Sequence, residues 1–394
     1  MVFGSRYRRF FLFTFIPVII IFCWYLSELL WRPPMKDPRP LRYYYSNDTG
    51  GIVISESCQR LLNLINSPIP ALLIDSKILI QIDYGQCEGL QKSVKIGVDE
   101  VYKSNEFKIH GQFEVVFYKN STEKDYLEFQ TDPKSIIPKN FPSQTIGNLI
   151  IPTRIGQFLD FQKRSKFVPC RNITMSRDPP KYRFIFNSSP LKPAKESADN
   201  LAKLRDELLS FGMTPFLNGG TLLGWYRECS VIPHTKDMDI GVFGENWNQE
   251  FYEYLWSYNS SFTLKRQIGL INDSYELTVI PKTNQGRQID LFLMYKDYKN
   301  SKEYRWVGGL TTRGEKIKYI YPAYDPFCAA DLMGHIFWVT CTPEAKITEE
   351  YGPTWYLDQN SSKYIWYGAK NAEKNGKFTR KQMLEETYNE YKSI

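Results

Sequence analysis

Residues 215–227 read Pro215-Phe216-Leu217-Asn218-Gly219-Gly220-Thr221-Leu222-Leu223-Gly224-Trp225-Tyr226-Arg227, and the chain continues after a short gap with Asp237-Met238-Asp239-Ile240-Gly241-Val242-Phe243. The pattern predicts a strand, a glycine turn, a short helix, a long loop and a second strand. Paired glycines at a helix mouth let backbone N–H groups approach a phosphate closely, and the helix dipole adds positive potential there. Thr221 adds a hydroxyl to the same cradle. Side chains at i and i+2 of a strand share a face, so Asp237 and Asp239 point together while Met238 turns into the core. Two adjacent carboxylates repel each other, and a hard cation bridging them to substrate phosphates removes that cost. The expected metal is Mg²⁺ or Mn²⁺.

Further along, Arg287-Gln288-Ile289-Asp290-Leu291-Phe292-Leu293-Met294-Tyr295 is an apolar strand interrupted by one acid. A carboxylate within a sheet is expensive to bury unpaired, so Asp290 is expected to join the aspartate pair as third metal ligand or as general base. Arg227 and Lys236, the basic residues nearest these motifs, are the candidates for neutralising phosphates, ahead of Lys282 and Arg287. Taken singly, a double glycine is usually only a turn and an Asp-x-Asp a loop cap. Their order, the intervening helix and the in-strand Asp290 together carry the functional reading. His234 reads as a loop residue and Cys229 as a disulfide partner.

Upstream, the loop Pro190-Leu191-Lys192-Pro193 leads into AKESADNLAKLRDELLSFG, where Ala198, Leu201, Leu204 and Leu208 fall at helical spacing and Gly212 supplies a stop. A domain boundary is placed just before this helix, giving a catalytic domain over 191–394. Residues 51–190 read as β-rich, with short, aromatic, partly alternating strands at Ala71–Tyr84, Ser93–Tyr102, Gly111–Tyr118 and Tyr126–Gln130. They contain no cluster of acids, bases or nucleophiles, so a structural or acceptor-recognition role is the default. Trp306-Val307-Gly308-Gly309-Leu310 reads as a hairpin turn or a mobile lid.

At the other end, Phe10 to Leu30 form an apolar run long enough to cross a bilayer, preceded by Arg6, Arg8 and Arg9. Bulky Trp24, Tyr25 and Leu26 at its end argue against a cleaved signal peptide. The expectation is a cytosolic tail over 1–9, a signal anchor over 10–31 and a Pro-, Arg- and Tyr-rich stem over 32–50. Asn-x-Ser/Thr sites at Asn47, Asn120, Asn172, Asn187, Asn259, Asn272 and Asn360 all follow the run and predict a luminal orientation. Six cysteines after it (Cys58, Cys87, Cys170, Cys229, Cys328, Cys341) suit disulfides in an oxidising lumen, with the pairing left open. Of the formal charge of +7, residues 1–50 hold +4 (seven Lys/Arg, three Asp/Glu), and the nearly balanced remainder of the 394 residues disfavours a nucleic-acid partner.

The glycine pair, helix, strand-borne Asp-x-Asp and later strand Asp are similar to the nucleotidyltransferase fold. The stretch FLNGGTLLGWYRECSVIPHTKDMDIGVF resembles the LicD/fukutin family, with weaker agreement around Arg287–Phe292 and Glu349-Glu350-Tyr351-Gly352-Pro353-Thr354-Trp355; the resemblance covers about residues 195–360. It implies an α/β (α+β) catalytic domain, a nucleotidyltransferase-like mixed sheet with flanking helices. It also implies transfer of a phospho-alcohol, such as phosphocholine or ribitol phosphate, from a CDP-activated donor (a CDP-alcohol) to a glycan acceptor on a glycoprotein. The family's metal-binding acids fall on Asp237 and Asp239 and its glycine turn on Gly219 and Gly220, with Asp290 the less certain match. Thr235 stands where some relatives have a further acid, and the zinc-holding cysteines of the fukutin-related branch have no counterpart.

The implied place is the Golgi or endoplasmic reticulum membrane, as a single-pass type II protein among other glycosylation enzymes. Two rivals remain. An Asp-x-Asp glycosyltransferase shares the metal and the anchor, but there the motif closes an apolar strand, whereas here Ile240, Val242 and Phe243 follow the acids. The other is a catalytically inactive luminal scaffold.

Overall fold

The computed structural model describes residues 53–65, 67–89, 93–103, 113–173, 193–283, 286–323, 327–357 and 364–391. The expected anchor, tail and stem lie outside the described residues. Among those described, no helix is long and apolar enough to cross a membrane.

Short polar caps shape the first part of the chain. The Ser55 hydroxyl accepts from the Cys58 N–H to start α1 (Glu56–Leu64). After β1 (Ala71–Leu73), the Asp75 carboxylate accepts from the N–H groups of Lys77 and Ile78, and α2 (Ser76–Tyr84) runs to Gly85 at φ +68°. This corrects the single strand expected over Ala71–Tyr84: the cap at Asp75 and the left-handed stop at Gly85 turn Ile78, Leu79 and Ile82 into a buried helical stripe. There follow β2 (Val94–Asp99), β3 (Phe113–Lys119), β4 (Tyr126–Phe129), β5 (Ser135–Pro138), β6 (Ser143–Ile146), β7 (Leu149–Pro152) and α3 (Ile155–Lys163). The strands form one mixed sheet in the order β5-β4-β3-β2-β1-β7-β6.

The second part begins with the expected amphipathic helix, α4 (Ala194–Ser210), which ends at Gly212 with φ +75°. Next come β8 (Phe216–Leu217), α5 (Gly219–Glu228), β9 (Asp237–Phe243), α6 (Glu250–Tyr254), β10 (Phe262–Leu270), β11 (Asp273–Pro281), β12 (Gln288–Lys299), β13 (Lys302–Leu310) and β14 (Glu315–Pro322). The chain closes with β15 (Cys328–Leu332), β16 (His335–Val339), α7 (Pro343–Tyr351), β17 (Ala372–Lys377), α8 (Arg380–Glu385) and β18 (Tyr388–Glu390). They form an 11-stranded mixed sheet, β15-β16-β8-β9-β12-β11-β10-β18, from which the far half of β12 leads to β13, β14 and β17. The mixed α/β architecture fits the expected α+β class. Gly308 and Gly309 lie inside β13 rather than in a hairpin turn or lid: a Cβ would strike Ser274 at Gly308 and Trp366 at Gly309, so close packing requires both.

On one face, the β9 strand and the near half of β12 are core. Met238, Ile240 and Val242 of β9 and Ile289, Leu291 and Leu293 of β12 bury against Leu201, Leu204 and Leu208 of α4. The other face is divided. Asp239 and Asp290 occupy one end, while Met294, Val307 and Tyr321 join the core of the first sheet, together with Phe216 and Trp338. Phe161 of α3 stacks on Trp338 with ring centroids 5.6 Å apart. The first part of the chain therefore covers the sheet face beside the acids.

Three disulfides settle the pairing as Cys58–Cys87, Cys170–Cys229 and Cys328–Cys341. A polar cluster also ties the two sheets together. The Asp125 carboxylate, between β3 and β4, accepts from the Ile336 N–H (2.8 Å), pairs with Arg205 (2.9 Å) and meets His335 Nδ1 (2.8 Å), while His335 Nε2 faces Asp199 (2.6 Å) and Lys195 (3.2 Å). Burial pulls the imidazole pKa down, but the hydrogen bonds to Asp125 and Asp199 outweigh burial and the Lys195 charge, so it is raised. Burial likewise pushes Asp125 up and is outweighed by His335 and Arg205, so its pKa is lowered.

The imidazolium contribution is complete below its unfolded pKa of about 6.5 and is lost as pH rises through the raised folded value. The Asp125 contribution is present above about pH 4 and is lost as pH falls. Chemical denaturation of the wild type is expected to show declining stability above about pH 6.5, and His335→Ala to cost about 1–3 kcal/mol at pH 6 and flatten that decline.

Candidate functional site

Backbone register builds the site. Arg266 of β10 lies opposite Thr278 of β11, Thr278 opposite Asp290 of β12, and Asp290 beside Asp239 of β9, so four neighbouring strands present one lateral row on one face. At the usual spacing of about 4.8 Å between strands, the row spans about 14 Å. Asp237 stands two residues before Asp239 on the same face, and Glu276 two before Thr278.

The Asp239 carboxylate meets the start of α5. A Cβ on Gly219 would lie 2.9 Å from Asp239 Oδ2, one on Gly220 3.2 Å from it, and Gly219 sits at φ +47°. The Gly220 N–H donates to the carboxylate. Thr221, expected in a phosphate cradle, is buried, and its hydroxyl instead accepts from the Asp239 N–H at 2.6 Å. The helix mouth thus grips an acid of the chain itself, as an anion at a helix N-terminus should be gripped. Gly241, next on this face, leaves room for Phe216, which a Cβ would approach to 2.7 Å.

The other expected residues divide. Asp237 accepts from the Thr235 hydroxyl (3.0 Å), and the loop ahead of it is braced by Arg287, which donates to the carbonyls of Thr235 and Pro233 and to the Ser197 hydroxyl. Lys236 is exposed. Arg227 is buried, pairs with Glu228 at 2.6 Å and donates to the carbonyls of Trp355 and Leu357, so the structure engages it in holding that segment.

Four site residues went unassigned in the sequence reading. Arg266 pairs with Glu276 at 2.7 Å and stands 3.9 Å from Asp290. Helix α7 brings Glu350, which accepts from the Tyr321 hydroxyl at 2.7 Å, and buried Lys346, which donates to Asn218 at the mouth of α5. An acid inside the apolar strand segment Tyr275–Ile280 was the available signal for Glu276, the same one that marked Asp290. Glu350 lies in the stretch Glu349–Trp355 that carries the weaker family agreement, with no role assigned to it, and Lys346, one turn earlier, has no local mark of chemistry.

Acid outnumbers base here. Burial, then Asp237, Asp290 and Glu350, push the Asp239 pKa well above the usual carboxylate range. Burial lifts Asp290 to about 6, with Asp237 adding to the rise and the Thr278 hydroxyl (2.6 Å) and Arg266 opposing it. Burial and Asp290 lift Glu276 to about 8 against the pull of Arg266. Burial lowers Lys346 to about 7, with Glu350 and Asp239 holding it up.

Surplus negative charge on hard oxygen donors is the chemistry a divalent cation relieves, and Mg²⁺ is commonly held by one or two carboxylates together with substrate phosphates. Asp237 and Asp239 fit that use. Among the described residues, no three or more His, Cys, Asp or Glu side chains converge as a metal cluster.

A family model described as LicD/FKTN/FKRP, nucleotidyltransferase domain, matches residues 212–341, which include Gly219, Asp239 and Asp290. The W02B3.4 protein of Caenorhabditis elegans is 50% identical over 332 residues, 83% of this chain and 84% of its own length. The chain belongs to the LicD/fukutin-like family. The first sheet of this LicD/fukutin-like protein also has a match, since a W02B3.4-like N-terminal domain model covers residues 57–169. The ribitol-5-phosphate transferase FKTN of Homo sapiens is 28% identical over 235 residues, 59% of this chain and 49% of that protein. Lys346 and Glu350 lie beyond the matched nucleotidyltransferase domain.

Two expectations follow from the packing. Gly219→Ala should cost about 1–3 kcal/mol in denaturant melts, because it combines a left-handed φ with a collision at Asp239. Asp290→Asn should raise stability by about 1–3 kcal/mol in metal-free buffer at pH 7.5, through relief of buried like charge, while abolishing any activity of the site.

Proposed function

We propose that the chain transfers a phospho-alcohol, ribitol phosphate in the first instance, from a CDP-activated donor to a glycan on a glycoprotein. It would do so as a membrane-anchored type II protein of the Golgi or endoplasmic reticulum, with its site in the lumen. The observation that carries the reading is the row Thr278–Asp290–Asp239 beside the glycine mouth of α5, within the segment matched to the LicD/FKTN/FKRP domain. Support for a luminal site comes from the three disulfides and from Asn120, Asn172, Asn259 and Asn272, the described N-x-Ser/Thr asparagines, all of which are exposed.

The reaction asks little covalent work of the protein. The acceptor hydroxyl oxygen attacks the phosphorus that carries the alcohol, the bond from that phosphorus to the bridging oxygen breaks, and CMP leaves. Asp290 takes the hydroxyl proton: Thr278 occupies Oδ1, which leaves Oδ2 for it, and a carboxyl near pKa 6 is matched to a general base at neutral pH. Asp237 and Asp239 would hold a Mg²⁺ or Mn²⁺ ion, whose chemistry there is to neutralise the donor diphosphate. Gly219 and Gly220 fix Asp239, and Lys346 places a cation next to that acid. The aromatic and aliphatic packing of the first sheet against the same face excludes water from one side.

The test is a donor screen on the full chain with CDP-ribitol, CDP-glycerol, CDP-choline and UDP-sugars, each with Mg²⁺, Mn²⁺ or EDTA. Transfer of the phospho-alcohol from a CDP donor, lost in EDTA and reduced at least about 100-fold by Asp237→Asn or Asp239→Asn, is the expected result. Transfer from a UDP-sugar alone would make the protein a glycosyltransferase. Absence of both transfer and metal-dependent nucleotide binding would make it a scaffold.

A further inference from the structure

A cavity of about 550 Å³ opens on the opposite face of the large sheet from the acids. Register establishes the side. Trp306 lies opposite Tyr295 on β12 and opposite Ile320 on β14, so Lys316 and Lys318 share its face. Tyr295 is an odd number of residues from Asp290, which places the acids on the other face. The cavity is therefore separate from the proposed donor site, and nothing in the reaction above uses it.

Its walls are charged and pre-arranged. Lys316 Nζ lies 4.7 Å from the Phe378 ring and 2.6 Å from Asp273, and Lys318 Nζ lies 4.2 Å from the Trp306 ring and 3.5 Å from Asp297. Both lysine side chains are largely buried, at 16% and 19% exposure, so little side-chain freedom remains to be lost on binding. Lys377 of β17 adds a third ammonium group, exposed and without an ion pair among the described residues. Among the described residues, three cations thus line the cavity against one lining carboxylate, Asp273. Asn375 supplies an amide suited to hydroxyl groups, Gln382 keeps its amide NH₂ as a donor while its Oε1 accepts from the Thr379 N–H (2.9 Å) in the cap of α8, and the volume is that of a small-molecule site.

We propose that this cavity binds an anionic sugar unit, a hexose-sized body bearing a phosphate, sulfate or carboxylate. The lysines meet the charge, and the amides meet the ring hydroxyls. A purely structural role for the lysines would need only the aromatic rings and the two aspartates, and would leave Lys377 without a task.

Equilibrium binding to the full chain tests this with glucose 6-phosphate, glucose 6-sulfate, glucuronate and uncharged glucose, followed by tryptophan fluorescence and by dialysis. Asn272, an N-x-Ser acceptor that also lines the cavity, is replaced in parallel by Asn272→Gln to keep a glycan out. At least one charged sugar is expected to saturate at least 10-fold more tightly than glucose, and the tightest of the three identifies the anion. Lys377→Met, at an exposed position, and Lys318→Met should each weaken that binding at least 10-fold, and Asp237→Asn should leave it unchanged. Absence of saturable binding, equal affinity for glucose, or indifference to both lysine changes would overturn the proposal. Since Asp237→Asn removes transfer but spares this cavity, failure here and failure of the donor reading are separable.

Discussion

The contact on which the site depends is that between the Asp239 carboxylate and the first turn of α5. A carboxylate close to other acids is costly to hold, and here the Gly220 N–H and the helix dipole offset part of that cost. The contact is possible only because residues 219 and 220 carry no side chain. Thr221 then fixes the backbone of β9 to the same helix, so strand and helix move as one piece. With β9 placed, its parallel pairing to β12 sets Asp290 beside Asp239, and the antiparallel steps to β11 and β10 set Thr278 and Arg266 in line.

The first sheet gains a physical role from this arrangement. The face bearing the acids would otherwise expose Met294, Val307 and Phe216, and packing from the first part of the chain buries them. Burial of that kind contributes about 1.5–3 kcal/mol per large apolar side chain, so the two parts stabilise each other while leaving the acid end clear. The Asp125–His335–Asp199 cluster adds directional contacts to a join that is otherwise apolar.

Much of this was legible in the sequence because the deciding signals are local. Gly219-Gly220, Asp237-x-Asp239 and the acid in an apolar strand at Asp290 each advertise themselves within a few residues, and strand pairing then brought them together. What depended on register or distant packing was not legible. Glu276 and Arg266 become site residues only once β10 and β11 are aligned with β12, and Lys346 arrives on a helix more than a hundred residues after Asn218, which it contacts. Thr221 and Arg227 show the converse: both lie in the right stretch, yet a hydroxyl one turn into a helix and a guanidinium on its far end face inward to backbone. The helix mistaken for strand at Ser76–Tyr84 was marked by Asp75 and Gly85, where capping chemistry outweighs β-branched composition.

The disulfide map carries one further consequence. Each bridge joins neighbours in the series of six cysteines from Cys58 onward, at separations of 29, 59 and 13 residues. If the chain is made into an oxidising compartment, as the proposed function has it, every thiol would meet its proper mate as the very next one to emerge. Correct linkage would then follow from simple order of arrival, with little call on isomerase-driven shuffling.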